Sequence, residues 1–314
     1  MGSRAVIERS LPMKARFYVG CHMAEAESTP VASGTALVFS HPSPDRPGPE
    51  SGTQFNEDAA MVLTLGEGRG LLAIADGVGG QRLGAQAARA ALEALEESIH
   101  RAVSSGVVEQ HPDAGLSTPE DDRPRPKRAR GTEGGVLRES ILTGFEAANR
   151  AVTALGVGAG TTLAAVEIDD ACLRTYHAGD SMILVVGQRG KLKLQTVAHS
   201  PIGYAVEAGL MAEEEAIHHE DRHLVSNVVG SPDMRIDIGP VVRLRTRDTL
   251  LLATDGLFDN LRLDEVTSLI RKGPLPEVAR RLGEAARKRM ASPEGDGPSK
   301  ADDLTFLLFR LVRR

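Results

Sequence analysis

Apolar residues in this chain occur in short uninterrupted runs and in longer periodic stretches, which predict strands and helices respectively. Residues 71–75 and 249–254 are uncharged, and each run is followed directly by Asp-Gly. Short runs of this kind are typical of strands that are buried on both faces. Further runs with turn signals at their ends predict strands at residues 34–40, 59–65, 163–168, 172–177, 182–186, 191–197, 241–245 and 304–312.

Longer stretches with alanine and leucine at helical spacing predict amphipathic helices. Helices are predicted at residues 84–103, 136–155, 263–271 and 275–291. The close spacing of the four strands between residues 163 and 197 favours an antiparallel meander. We therefore expect an α+β fold, in which antiparallel sheets are covered by helices on their outer faces.

Two stretches fall outside these patterns. Residues 106–134 mix proline, glycine and charge without apolar periodicity, which predicts a flexible insertion. Residues 200–235 combine a short acidic helix with loops, so an excursion beside a site is expected there.

Composition narrows the class of protein. The 314 residues are enough for one large domain or two modest ones, and the net charge is −6. A mildly acidic chain argues against a general nucleic-acid-binding surface. Cys21 and Cys172 have no ligand-like spacing, which suggests a reducing compartment. The sequence contains neither an apolar stretch of membrane-span length nor a signal-peptide pattern, so we expect a cytoplasmic protein without a membrane partner.

Carboxylates lie at the edges of five predicted strands. If the strands stack into facing sheets, several of these groups converge, and crowded carboxylates need protons or a cation. An all-oxygen set without a His/Cys motif suits Mg²⁺ or Mn²⁺, and Ca²⁺ less well. Two such cations can activate a water for attack on a phosphoryl group. The residues concerned are Glu57 with Asp58, Asp76, Asp180, Asp255 and Asp302.

Each feature taken alone also has an ordinary structural interpretation. Asp-Gly is a common turn dipeptide, and Gly179-Asp180-Ser181 also suits a hairpin turn. Asp58 and Asp259 suit capping positions. The basic run at residues 123–130 is more typical of a solvated loop than of a binding site. Histidines at positions 177, 199, 218, 219 and 223 match no zinc motif, so we expect surface or hydrogen-bonded histidines.

Six short motifs occur in an order that resembles the PPM-type, or type 2C, serine/threonine protein phosphatases. They are Asn-Glu-Asp-Ala, Ala-Asp-Gly-Val-Gly-Gly, Gly-Thr-Thr-Leu, Gly-Asp-Ser, Ala-Thr-Asp-Gly-Leu-Phe-Asp and Asp-Asp-Leu-Thr. The resemblance runs from about residue 34 to residue 314. It implies a single phosphatase domain, a four-layer α-β-β-α sandwich and a site for two Mn²⁺ or Mg²⁺ ions.

The resemblance also implies roles for individual residues. Asp76 bridges both cations, Asp255 and Asp302 hold one of them, and Glu57 with the Gly77 carbonyl holds the other. Asp76 and Asp255 are thus the catalytic candidates. Further implied sites are Asp58 and Asp259, acting through bound water or behind the ligands, Asp180 as the ligand of a third cation, and residues 200–235 as a flap.

Some positions depart from the family pattern. Thr53 and Met182 stand where arginines are usual, and Val78 replaces a histidine of eukaryotic members. Arg82 is the candidate substitute for binding substrate. The leading hypothesis is hydrolysis of phosphoserine and phosphothreonine in proteins, opposing a serine/threonine kinase. The alternatives are a catalytically weak regulatory or binding module on the same fold, and a phosphoesterase for nucleotides or small molecules.

Overall fold

Strands with apolar side chains on both faces form the centre of the fold. The computed structural model describes residues 13–45, 56–66, 68–78, 82–105, 133–216, 219–292 and 297–312. Its strands are β1 (Lys14–Val19), β2 (Glu27–Val31), β3 (Gly34–His41), β4 (Ala59–Thr64), β5 (Arg69–Ala75), β6 (Gly77–Val78), β7 (Gly160–Thr161), β8 (Leu163–Asp169), β9 (Cys172–Ala178), β10 (Met182–Val186), β11 (Leu192–Gln195), β12 (Asp237–Ile238), β13 (Val242–Arg243), β14 (Thr249–Ala253) and β15 (Leu304–Leu311).

The helices are amphipathic where they are long. On the first helix Ala88, Leu92, Leu95 and Ile99 recur at three- and four-residue spacing and are fully buried. None of the described helices combines the length and the apolar character that a bilayer span needs. The helices are α1 (Arg82–Ser104), α2 (Glu133–Thr153), α3 (Pro201–Glu207), α4 (Glu213–Ala216), α5 (Asp255–Phe258), α6 (Leu263–Ile270) and α7 (Leu275–Met290), with a 3₁₀ turn at Glu220–His223.

The long strands form two antiparallel sheets. The first sheet has the order β1-β4-β5-β8-β9-β12, with β13 also paired to β9, and the second has the order β11-β10-β14-β15-β3-β2. A short ladder joins β6 to β7. The predicted hairpin of β4 and β5 is confirmed, since the two strands pair antiparallel from Ala59 opposite Ala75 to Thr64 opposite Gly70.

The two faces of a strand pack into different cores, which explains the uninterrupted apolar runs. On β5, Leu71 and Ala73 belong to the core against α1 and α2, whereas Leu72 and Ile74 belong to the core between the sheets. On β14, Leu251 faces α6 and α7 in a third core. The layers are therefore helix, sheet, sheet, helix, and the predicted α-β-β-α sandwich is confirmed.

Several sequence predictions need correction. The four strands between residues 163 and 197 do not form one meander, because β8 pairs with β9 in the first sheet and β10 pairs with β11 in the second. The chain crosses between the sheets at Gly179, whose φ of +117° is a conformation that suits glycine. The strand predicted at residues 241–245 is shorter in the structure, where β13 covers only Val242–Arg243.

The beginning of the chain also holds more structure than its pattern indicated. Strands β1 and β2 lie at sheet edges, and β2 contains Pro30 and exposed polar positions. Polar residues and proline are common on edge strands, and they hide the periodicity on which strand prediction relies. Of the predicted insertion, residues 106–132 lie outside the described residues, whereas residues 133 and 134 belong to α2.

Candidate metal centre

The central carboxylate of the site, Asp76, follows β5 and has a firmly held backbone. Its N–H donates to the Thr162 hydroxyl at 3.0 Å. Its carbonyl accepts the Thr162 N–H and the Thr161 hydroxyl, each at 2.8 Å. The Thr162 hydroxyl also hydrogen-bonds Ser181 at 2.7 Å, which links Asp76 to the crossover between the sheets. The aspartate is thus presented from a backbone with few degrees of freedom.

Four other aspartates surround Asp76. Burial, followed by the charges of Asp58, Asp255, Asp302 and Asp180, raises the pKa of Asp76 well above its ordinary value. Burial, followed by the charge of Asp255, also raises the pKa of Asp180, from 3.8 to about 7. The convergence expected from the strand ends therefore occurs, and its electrostatic effect is the one that crowded carboxylates produce.

Three carboxylates meet around a lysine at the second sheet. Asp255 begins α5 and Asp259 directly follows its last residue, one helical turn later, so the two side chains lie on the same side of this short helix. Oxygens of these two residues and of Asp302 lie within 4.8 Å of one another. The Lys300 Nζ is 3.0 Å from Asp255 Oδ2 and 2.8 Å from an oxygen of each of the other two.

Lys300 was missed by the sequence analysis, whose only available signal was its position two residues before Asp302. Burial by itself would lower the pKa of the Lys300 ammonium, but the three carboxylates outweigh burial and raise it above its ordinary value. The lysine therefore carries its positive charge inside the acidic cluster.

Glu57 and the Gly77 carbonyl form a second group of oxygens, which meets the start of α1. A Cβ placed on Gly84 would lie 2.2 Å from Glu57 Oε1 and 2.8 Å from the Gly77 carbonyl oxygen. Both oxygens therefore approach the same point on the helix backbone. Glu57 precedes β4 and Gly77 begins β6, so the two oxygens come from separate segments that meet at the start of α1.

Two further aspartates support this edge of the sandwich. Asp303 accepts the N–H groups of Ser43 at 2.7 Å and Glu57 at 2.8 Å, which joins the entry of β4 to the entry of β15. Asp58 accepts the Thr254 hydroxyl at 2.9 Å through Oδ2. Its Oδ1 is buried and has no hydrogen-bond partner among the described residues. A buried, unsatisfied carboxylate oxygen within an all-oxygen set fits a hard divalent cation.

The structure places the predicted residues as follows. Asp58, Asp76, Asp180, Asp255 and Asp302 surround one centre, and Asp259 joins it through α5. Met182 begins β10 opposite Ala253. The backbone of Arg82 begins α1, but its side chain and the whole of Thr53 lie outside the described residues.

Two of the predicted histidines, His177 and His199, are buried and hydrogen-bonded. His199 Nδ1 accepts the Gly179 N–H at 3.1 Å, so the ring proton belongs on Nε2, which lies 3.1 Å from Asp237 Oδ2. His177 stacks on this ring at 4.4 Å, and its Nε2 lies 3.0 Å from the Val197 carbonyl oxygen. A protonated Nε2 on His199 cannot act as a metal ligand, which argues against zinc at this cluster.

A cleft opens beside the acidic cluster. Its volume is about 420 Å³, and Asp259 and Phe258 line one side while Ile202 and Val206 of α3 line the other. Arg222 also lines this cleft, and its guanidinium donates to the Ser299 carbonyl at 3.3 Å. Part of the 200–235 stretch, from Ser200 to Arg222, therefore contributes residues to the cleft beside Asp259.

The chain matches the protein phosphatase 2C family over residues 50–291. It belongs to this family. A protein phosphatase 2C-type relative from Streptococcus pyogenes is 30% identical over 145 residues, which are 44% of this chain and 58% of that protein. The protein phosphatase PhpP of Streptococcus pneumoniae is 29% identical over 222 residues, which are 68% of this chain and 78% of PhpP. The chain thus spans little more than half of the first relative.

A solved member of the protein phosphatase 2C family has the same architecture. The serine/threonine phosphatase of Streptococcus agalactiae is 25% identical, with a TM-score of 0.64, and the match covers 88% of this chain and 99% of that one. The catalytic domain of the serine/threonine phosphatase PstP, which is 21% identical with a TM-score of 0.58, was solved in complex with two manganese ions.

Proposed function

We propose that this chain is a metal-dependent phosphatase that removes phosphate from serine and threonine side chains of proteins. The observation that carries the proposal is the meeting of carboxylates from both sheets around Asp76, with an unsatisfied oxygen on Asp58. The relatives that are named as protein phosphatases support the choice of substrate class. Phosphorylated proteins would then be the partners, with a serine/threonine kinase acting in opposition in the cytoplasm.

The residues divide into groups that would hold the cations, Mn²⁺ or Mg²⁺. Asp76 would be shared between two ions, with Asp255 and Asp302 completing one position. Glu57 and the Gly77 carbonyl, which approach each other at Gly84, would complete the other. Asp180 would serve a third ion, while Asp58 and Asp259 would act through water or support the ligands.

Divalent cations in such a site supply an activated water and neutralise the charge of a phosphoryl group. The hydrogen bonds of the chain itself fix the orientation of the proposed ligands. Thr161 and Thr162 hold the backbone of Asp76, and Asp303 holds the backbone of Glu57. The cleft of about 420 Å³ beside Asp259 is within the range of known ligand pockets and would receive the phosphorylated side chain.

The proposal is tested by replacing the shared ligand. Asp76→Asn should reduce Mn²⁺-dependent hydrolysis of a phosphothreonine peptide by roughly a hundredfold or more, because a neutral amide is a poor ligand for a hard cation. Phosphate release is measured with MnCl₂ and with chelator. Asp264→Asn, on the exposed first turn of α6, is the matched control and should retain full activity.

The competing interpretations give different results in the same assay. Unchanged activity of the Asp76→Asn protein would contradict the proposed site. Binding of Mn²⁺ without turnover of any phosphopeptide would favour a regulatory or binding module. Hydrolysis of nucleotides but not of phosphopeptides would identify a small-molecule phosphoesterase.

A further inference from the structure

The ammonium group of Lys300 lies at the centre of three carboxylates. It is 3.0 Å from Asp255 Oδ2, 2.8 Å from Asp259 Oδ2 and 2.8 Å from Asp302 Oδ2. The ammonium donates a hydrogen bond to Asp255 and forms ion pairs with Asp259 and Asp302. The side chains are partly buried, with exposures of 27% for Lys300, 24% for Asp255 and 14% for each of Asp259 and Asp302. An ordinary surface ion pair has one partner and is screened by solvent, whereas Lys300 has three carboxylate partners and is less exposed to solvent.

The backbone of Lys300 is held in place by Asn260, which directly follows Asp259 in the chain. Lys300 N–H donates to Asn260 Oδ1 at 2.9 Å, and Asn260 Nδ2 donates to the Lys300 carbonyl at 2.8 Å. The same amide group donates to the Gly256 carbonyl on α5 at 2.9 Å. Asn260 is fully buried. The ammonium therefore reaches the carboxylates from an anchored backbone rather than from a free loop.

The position of this ammonium conflicts with a divalent cation on the same oxygens. Lys300 contacts one oxygen of Asp255 and one of Asp302, so a cation held by these carboxylates would lie close to the ammonium. Two positive charges at such a distance repel each other strongly where burial limits screening. Binding of the divalent ion therefore requires the ammonium to leave these oxygens.

We propose that Lys300 is a tethered competitor for the divalent cation at Asp255 and Asp302. It lowers the affinity of this position for metal and stabilises the acidic cluster when divalent ions are scarce. The inference rests on the proposed function in one respect, namely that these carboxylates bind the catalytic cation. It adds a residue that sets the metal concentration at which the site fills.

Metal affinity measured by calorimetry tests the proposal. Lys300→Met removes the charge and keeps a side chain of similar length, so the variant should bind Mn²⁺ about tenfold more tightly than the wild type if the ammonium occupies the site roughly nine-tenths of the time. Its unfolding temperature in chelator should fall, because the three carboxylates lose their counter-ion. Lys288→Met, on an exposed position of α7, makes the same chemical change and should alter neither value.

A second measurement uses the wild-type protein. Acylation of lysines by acetic anhydride, followed by mass spectrometry, reports how accessible each amine is. Added Mn²⁺ should raise the acylation rate of Lys300 about tenfold, since displacement frees the amine, and should leave Lys288 unchanged. This measurement also decides the question if neither Lys300→Met nor Lys300→Gln folds.

The possible outcomes separate the two proposals. Suppose that the wild type binds Mn²⁺ and hydrolyses the phosphopeptide, but Lys300→Met binds Mn²⁺ equally tightly or more weakly. This result would contradict the proposed competition by Lys300 and leave the proposed function standing. An acylation rate at Lys300 that stays constant or falls on adding Mn²⁺ would do the same. Absence of both Mn²⁺ binding and phosphopeptide hydrolysis in the wild type would contradict the proposed function, and the competitor with it.

Discussion

At the scale of residues, the absence of a side chain on Gly84 shapes the candidate centre. A Cβ at this position would lie 2.2 Å from Glu57 Oε1 and 2.8 Å from the Gly77 carbonyl oxygen. Real Cβ atoms do not approach other atoms so closely, so either the helix or these two oxygens would have to move. Glycine lowers the stability of a helix, but a larger residue at position 84 would clash with these two oxygens, which explains the glycine here.

Gly84→Ala should therefore destabilise the protein and weaken its binding of Mn²⁺. Overpacking costs about 1–3 kcal/mol, which exceeds the gain of about 1 kcal/mol that alanine brings to a helix. Gly135→Ala is the matched control, because a Cβ there meets nothing within 4 Å. The control should gain about 0.5–1 kcal/mol, the usual difference between alanine and glycine inside a helix. Urea unfolding and Mn²⁺ calorimetry measure both effects, and equal stability changes in the two variants would refute the packing argument.

At the scale of elements, the sheets depend on being covered on both faces. The helix pair α1 and α2 closes the first sheet, and Phe145 of α2 is fully buried in the core that they share with it. Apolar area removed from water in this way is the main stabilising contribution to such a layer. The long apolar strands therefore require the helices as much as the helices require the strands.

Phe145→Ala should lower the free energy of unfolding by about 3–5 kcal/mol, because it leaves a cavity between α2 and the sheet. Phe17→Ala is the comparison, since Phe17 on the edge strand β1 is 39% exposed. Phe17→Ala should lower the free energy of unfolding by clearly less than Phe145→Ala does. Denaturant titration with an unchanged m-value measures both variants. Similar losses at the two positions would mean that the helix layer adds little to stability.

The arrangement of the strands also depends on where the chain crosses from the first sheet to the second. The four strands between residues 163 and 197 have the spacing of a meander, yet the second pair joins the other sheet. Spacing along the chain reports how short the turns are. It does not report that Gly179, which packs against Thr162 at the edge of the first sheet, turns the chain toward the second sheet.

At the scale of the whole molecule, folding concentrates negative charge at one edge of the sandwich. The pKa of Asp58 is raised well above its ordinary value, first by burial and then by the charge of Asp303. Asp76 shows the same direction, and the pKa of Asp180 rises from 3.8 to about 7. A group with a raised pKa in the folded state binds more protons there than in the unfolded state.

In chelator, these groups should make stability fall as pH rises from about 4 to about 7, because unfolding releases the protons that the folded state retains. For Asp180 the fall begins near the unfolded pKa of 3.8 and is complete once the pH passes the folded pKa of about 7. Asp180→Asn should lose less stability over this window than the wild type. Scanning calorimetry at several pH values compares the two, and a steeper loss in the variant would show that the assigned shift has the wrong sign.

By itself, the sequence determined the features that depend on local pattern. It identified β4, β5 and β14 as strands buried on both faces, the Asp-Gly steps that end two of them, and the long helices. The layered architecture followed from the order of these elements and from the resemblance to the phosphatase family. Local periodicity is enough to predict these elements, because the spacing of apolar residues along the chain indicates whether one face or both faces of an element are buried.

Only the tertiary structure decided the features made by residues distant along the chain. Asn260 holds the backbone of Lys300 across 40 positions, and Asp303 binds the Glu57 N–H across 246. The lysine stands two residues from a predicted ligand, but nothing in its neighbours indicates that it reaches Asp255. Contacts of this kind arise when separate strand ends meet, and single-sequence patterns carry no record of which ends will meet.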